Sequence, residues 1–123
     1  MKTTIETQDK LIFVNIKHSH EAMKNHDTAS EYYRENLKEC TRKYWKVRKE
    51  AADSATHILG CYQGIVKEVI KISSYHISED KYPGRKIFEG EEQNDSRYIG
   101  MSLYSLFGKL TNFIVKYPLA ELK

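Results

Sequence analysis

The segment with the most evident binding chemistry is TRKYWKV, residues 41–47, where basic side chains flank two aromatic ones. It contains the only tryptophan of the chain, Trp45, which is flanked by Arg42, Lys43 and Lys46. An indole ring can stack on a flat base, while nearby ammonium and guanidinium groups attract phosphate. The segment therefore indicates a surface that binds a nucleic acid or a nucleotide.

This segment belongs to the most basic part of the chain. Residues 32–49 contain seven basic and two acidic side chains, a net charge of +5, whereas residues 79–95 contain three basic and six acidic side chains, a net charge of −3. A helix that is simply solvated can give the same pattern. The other interpretation is a rim that contacts phosphate groups. The members of this rim are Arg42, Lys43, Lys46, Arg48 and Lys49.

Trp45 has two interpretations that the sequence leaves open. As the wall of an aromatic cage it stacks on a base, and a second aromatic side chain faces it across the ligand. As a core residue it seals the end of a helix, because single tryptophans usually bury most of their area. The candidates for the second wall of the cage are Tyr62, Tyr75 and Phe88.

Length and composition limit the class of protein. The 123 residues, 30% charged and 11% aromatic, fit a single folded domain over residues 1–123. Two cysteines, Cys40 and Cys61, are too few for a disulfide framework, and both are expected to be small core residues. No apolar run reaches the roughly 18 residues that span a bilayer, and the N-terminus lacks the apolar region of a secretory signal. We therefore expect a cytoplasmic protein without a membrane partner.

Periodicity and turn signals predict a mixed sheet with two helices inserted after the first strand. The β-branched run at 10–18 favours a buried strand, and the capping-box pattern TASE favours an amphipathic helix over 29–43. Gln63 and Gly64 mark the turn of a hairpin, in which Gly60 indicates a bulge. Such elements suit a small α+β barrel of about five or six strands. The remaining predictions are a helix at 48–55 and strands at 85–89 and 112–117.

The chain also contains short motifs that resemble small bacterial or phage-type domains of the PUA-like superfamily, among them EVE and YTH domains. These motifs are YWKV after the first long helix, ILGCYQGIVKEVIKI, GRKIFEG, RYIGMSL and NFIVKY, and the resemblance extends over about residues 10–118. It implies a compact β-barrel, flanked by helices, that binds RNA or DNA bearing a modified base in an aromatic cage. In the YTH-like pattern a tryptophan after the first helix forms one wall of the cage, and Trp45 stands in the matching place. The chain has no second tryptophan to match that pattern.

A cluster of histidines has to be weighed as a metal site. His18 and His20 would lie on one face of an extended strand, a geometry that can hold a metal ion, and His26 follows nearby. No CxxC or HExxH motif accompanies them. A solvated turn is the favoured interpretation, and we expect neither a metal nor a cofactor.

The favoured function is non-enzymatic binding of a nucleic acid or a nucleotide, with no catalytic residue. The alternative is a protein-interaction module, an inhibitor or adaptor, whose basic face binds an acidic protein partner. An enclosed aromatic pocket distinguishes the two, because a ligand reader needs one. The third hypothesis is a metal-independent ribonuclease, in which His76, Tyr75 and Arg85 move a proton and stabilise a phosphorane, although the sequence shows no second base to partner His76.

Overall fold

The structure is a computed structural model that describes residues 10–79 and 81–102 and the backbone of 114–115. Three helices separate the first two strands, and only strands follow within the described residues. In chain order the elements are β1 (Leu11–Asn15), α1 (Lys17–Lys24), α2 (Leu37–Arg42), α3 (Lys49–Ser54), β2 (His57–Tyr62), β3 (Ile65–Ile77), β4 (Lys86–Glu92) and β5 (Ile114–Val115).

The strands form one mixed sheet in the order β4-β3-β2-β1-β5. β1 and β2 run parallel, whereas β2–β3, β3–β4 and β1–β5 are antiparallel pairs. Within the described part of the chain β4 and β5 are the two edges, so the sheet is open. The predicted α+β class is confirmed. The predicted last strand at 112–117 is described only at Ile114–Val115, and its other residues lie outside the described part.

The helical region differs from the prediction, because three helices, not two, follow β1. The helix expected over 29–43 is reduced to α2, and the residues before it form turns. Asn36 explains where α2 begins: its Oδ1 accepts a hydrogen bond from the backbone N–H of Glu39 at 2.9 Å, which makes it the N-cap. The TASE pattern therefore does not start a helix, and Ser30 N donates to Asp27 O as part of a turn.

The first strand is shorter than predicted, since it ends at Asn15 and α1 follows. His18 and His20 consequently lie on a helix, where neighbours two residues apart do not face each other. Their rings have different partners: His18 stacks on Tyr32 at 4.8 Å, and His20 stacks on Tyr62 at 4.2 Å. The described residues contain no group of three metal-ligating side chains.

The core lies on both faces of the sheet, which explains why β1 is apolar at every position but its last. Leu11 and Phe13 point into one cluster, while Ile12 and Val14 point into the other, as the alternation of a strand requires. The second cluster also receives apolar side chains of α2 and α3. Both cysteines are buried and free, as expected: Cys61 lies in the first cluster and Cys40 in the second.

The β2–β3 hairpin has the predicted turn and bulge. Tyr62 pairs with Ile65, and the two residues between them, Gln63 and Gly64, have φ angles of 53° and 79°. Such a turn with two positive φ angles fits the twist of a hairpin. The register shifts between Gly60 and Cys61, where the sequence predicts the bulge. Gly60 also lies directly under α2, since a Cβ atom there would collide with the side chain of Thr41.

We expect Gly60→Ala to lower the free energy of unfolding by about 1–3 kcal/mol, because the added methyl group overpacks the contact between β2 and α2. Urea denaturation measures the loss. In a chain that already carries Thr41→Ala, the same substitution should cost less, since Thr41 Oγ1 and Cγ2 are two of the three atoms that the new Cβ would meet. An equal loss in both backgrounds would contradict this account of the packing.

A buried carboxyl group lies between β3 and β4. Glu68 is only 3% exposed, and its Oε1 accepts a hydrogen bond from the backbone N–H of Val69 at 3.1 Å. Burial raises the pKa of Glu68 to about 8, and a hydrogen bond with Glu92 on the neighbouring strand is the next cause. Glu92 pairs with Ile70 in the register, which places it diagonally opposite Glu68. The folded protein therefore favours the protonated form of Glu68.

We expect the protein to lose a few kcal/mol of stability as the pH rises from about 5 to 8. Above pH 4.5 the unfolded chain releases the Glu68 proton, whereas the folded chain retains it up to about pH 8, so that raising the pH favours unfolding. Denaturation curves measured across this range should show the decline. The matched variant Glu68→Gln should be flatter with pH, and an identical slope in both proteins would refute this assignment of the proton.

Candidate functional site

A pocket of about 190 Å³ lies where the β1–α1 junction, the loop before α2, the segment after α2 and the β3–β4 loop come together. Aromatic and charged side chains dominate its lining. The aromatic residues are Tyr32, Tyr44, Trp45 and Tyr82, the charged ones are Glu31, Arg34, Lys43 and Arg85, and the others are Asn15, His18 and Ser19.

Trp45 is held in place by three hydrogen bonds. Its backbone N–H donates to Lys86 O at 3.0 Å, and the N–H of Lys86 donates to Trp45 O at 2.8 Å. These two bonds form an isolated antiparallel bridge to the first residue of β4. The indole Nε1–H donates to Thr41 O at 2.7 Å. The half-buried side chain packs against the second core cluster and also lines the pocket. Trp45 therefore belongs both to the edge of the core and to the lining of the pocket.

Two tyrosine rings lie beside each other in the lining. The rings of Tyr44 and Tyr82 are 5.4 Å apart and tilted by 56°. Burial raises the pKa of Tyr82, and Glu31 contributes in the same direction. Tyr82 comes from the β3–β4 loop and Tyr44 from the segment after α2, so the pair joins two distant parts of the chain. Lys81 Nζ donates to Glu31 O at 2.9 Å and strengthens this junction.

The cations of the pocket are placed over these rings. The Arg34 guanidinium lies 5.1 Å from the centroid of the Tyr44 ring, and the Arg85 guanidinium lies 5.1 Å from that of Tyr82. Arg34 is only 8% exposed, and its NH1 donates to Glu31 O at 3.0 Å and to Tyr33 O at 2.8 Å. Its Nε has no hydrogen-bond partner among the described residues.

Trp45 lines a pocket, but the other aromatic residues of the lining are not the three candidates for the second wall of the cage. Phe88 is fully buried in the second core cluster and is not among the residues that line this pocket. Tyr62 stacks on a histidine, and its hydroxyl donates to Glu21 Oε2 at 2.8 Å. Tyr75 packs on Phe88, and its hydroxyl donates to Asp53 Oδ1 at 2.5 Å. Neither tyrosine is among the residues that line this pocket.

The predicted phosphate rim divides into cations with different surroundings. Arg42 donates twice to Glu89, at 3.1 and 3.0 Å, and its Nε lies 3.3 Å from Glu39, so its charge is already balanced. Lys49 pairs with Asp53 at 2.5 Å. Lys43 alone of the five lines the pocket, although Glu39 lies 3.0 Å from its Nζ. The other two cations of the rim, Lys46 and Arg48, are exposed and do not line the pocket.

The residues of the ribonuclease hypothesis are not brought together at this pocket. Tyr75 and His76 follow each other in β3, so their side chains point to opposite faces of the sheet. His76 Nε2 lies 2.9 Å from Glu89 Oε2, a carboxylate partner that sequence reasoning misses, and both side chains are well exposed. Arg85 lines the pocket, which neither Tyr75 nor His76 does.

Comparison with known proteins returned no match, whether the chain was scanned against protein-family models or searched against curated proteins and solved structures. None of the described helices is long and apolar enough to cross a membrane.

We expect Arg34→Met to lower the free energy of unfolding by about 2–3 kcal/mol, because it removes two charge-assisted hydrogen bonds to backbone carbonyl groups. The matched control is Arg85→Met, at a half-buried residue, which should cost under about 1 kcal/mol. Chemical denaturation of the three proteins measures both. Equal losses for the two variants would show that the hydrogen bonds of Arg34 do not hold the loop before α2.

Proposed function

We propose that the protein binds a nucleotide, free or within a nucleic acid, in the pocket beside Trp45, and that it does so without catalysing a reaction. The observation that carries the proposal is the combination in one cavity of the indole ring with guanidinium groups from Arg34 and Arg85. Base stacking on an aromatic face and charge-assisted contacts to phosphate are the two interactions by which proteins bind single nucleotides.

The size of the pocket supports a small ligand group. Sites for drug-sized molecules have volumes of roughly 300–1,000 Å³, and this pocket has about 190 Å³. A cavity of this size suits a small part of a ligand, such as a base with its phosphate, with the rest of a longer ligand outside. The resemblance to YTH and EVE domains extends the proposal to a base that carries a modification.

The topology of the sheet supports a PUA-like fold, which we propose for residues 10–118. All described helices are inserted between the parallel strands β1 and β2, and a hairpin and a further antiparallel strand follow. This is the order that the resemblance implies for a small barrel. The free thiols of Cys40 and Cys61 are consistent with the reducing cytoplasm that we propose as its location.

Binding of an acidic protein is the second candidate function. The observation in its favour is that Lys46 and Arg48 are exposed and lie outside the pocket lining, where a flat partner surface could reach them. Charges of this kind change association rates more than affinities. A nucleotide that binds in the pocket should be insensitive to both residues, and this separates the two functions.

We expect Trp45→Ala to weaken nucleotide binding by about 1–3 kcal/mol through lost stacking. Because the side chain also packs on the core, the same variant should lose some stability, so calorimetric titration and a thermal melt are both required. Single-stranded RNA and a nucleoside monophosphate are suitable ligands, measured at two salt concentrations because phosphate contacts weaken with salt.

The matched control for this experiment is Tyr75→Ala. Tyr75 is also half-buried and packs against the same core cluster, but it does not line the pocket. It should lower the melting temperature and leave the affinity of the folded protein unchanged. If both variants lose affinity in proportion to their loss of stability, Trp45 acts only as a core residue and the proposed site is wrong.

A further inference from the structure

We infer that the pocket selects a terminal phosphate monoester, so that its ligand is a mononucleotide or the phosphorylated end of a nucleic acid strand. This inference rests on the proposed function and narrows it to one class of ligand. The group recognised is a dianion, which distinguishes it from the singly charged phosphodiester inside a strand.

The first argument is that the tyrosine rings of the pocket already support cations of the protein itself. Tyr44 has the Arg34 guanidinium at 5.1 Å and the Lys43 ammonium at 5.7 Å from its ring centroid. Tyr82 has Arg85 at 5.1 Å, and Lys81 at 5.7 Å. These two rings consequently act as supports that position cations, whereas no such cation of the described residues lies over Trp45 or over Tyr32, which stacks on His18.

The second argument is that the two arginines of the pocket lack acidic partners. No carboxylate of the described residues lies within 4 Å of Arg34 or Arg85, whereas Arg42 has two such partners. Arg34 is more than nine-tenths buried, its NH1 is fixed by two backbone carbonyl groups, and its Nε is unpartnered within the described residues. A buried guanidinium without a counter-ion is costly unless an anion binds to it.

The third argument is the balance of charge. Three cations, Arg34, Lys43 and Arg85, and one acid, Glu31, line the pocket, but Glu39 lies 3.0 Å from Lys43 Nζ and balances its charge, so the two arginines leave a net charge of about +1. A phosphate monoester carries about −1.5 to −2 at pH 7 and offers three acceptor oxygens. Planar guanidinium groups bind such oxygens in pairs.

The test compares three ligands that share one base: a nucleoside, its 5′-monophosphate and its 3′,5′-cyclic monophosphate, a singly charged diester. Trp45 is the only tryptophan and lines the pocket, so its fluorescence reports the titration. We expect the monophosphate to bind at least about 10-fold more tightly than the other two. Arg85→Gln should abolish this preference, while Lys46→Gln, which removes an exposed cation outside the pocket, should retain it.

The outcomes separate this inference from the proposed function. Equal affinity for the monophosphate and the cyclic diester would overturn the inference, although a nucleotide site would still exist. Inorganic phosphate and ribose 5-phosphate are the fourth and fifth ligands. If either binds as tightly as the nucleotide, the result would support phosphate recognition and overturn the nucleotide function. No binding of any of the five ligands would overturn both.

Discussion

The parallel pairing of β1 with β2 is the constraint on which the rest of the structure depends. Leu11 pairs with His57 and Asn15 with Cys61, so the chain has to return along the whole length of β1 before β2 begins. Parallel neighbours require a crossover connection of about a dozen residues or more. Residues 16–56 form this crossover, and they contain the three helices and eight of the residues that line the pocket.

The pocket forms only where the crossover meets the far edge of the sheet. The backbone bridge between Trp45 and Lys86 joins it to the first residue of β4, and the Tyr44–Tyr82 contact continues this junction into the preceding loop. The crossover supplies Tyr44 and Arg34, whereas the β3–β4 loop supplies Tyr82 and Arg85. The pocket therefore depends on the folding of β3 and β4 as much as on the crossover, and the proposed ligand should stabilise the whole sheet when it binds.

The sequence indicates local features well and the site only in part. Gln63, Gly64 and Gly60 act through their own backbone conformation, so the hairpin turn and its bulge can be read from adjacent residues. The helix expected over 29–43 fails because Asn36 offers a cap later in the chain, and a six-residue helix leaves little periodicity to detect. Trp45 stands out by residue type, but its neighbours depend on the bridge to β4, for which no local pattern exists.

Arg34 and Arg42 show why the density of charge does not locate a site. Both belong to the same basic segment, yet Arg42 is paired with two carboxylates, whereas Arg34 donates to backbone carbonyl groups and lies over a tyrosine ring. A cation whose charge is balanced within the protein gains little from a further anion, because binding must first compete with that internal partner. Whether a cation is balanced in this way depends on neighbours that only the folded chain provides, so the density of charge along the sequence does not reveal it.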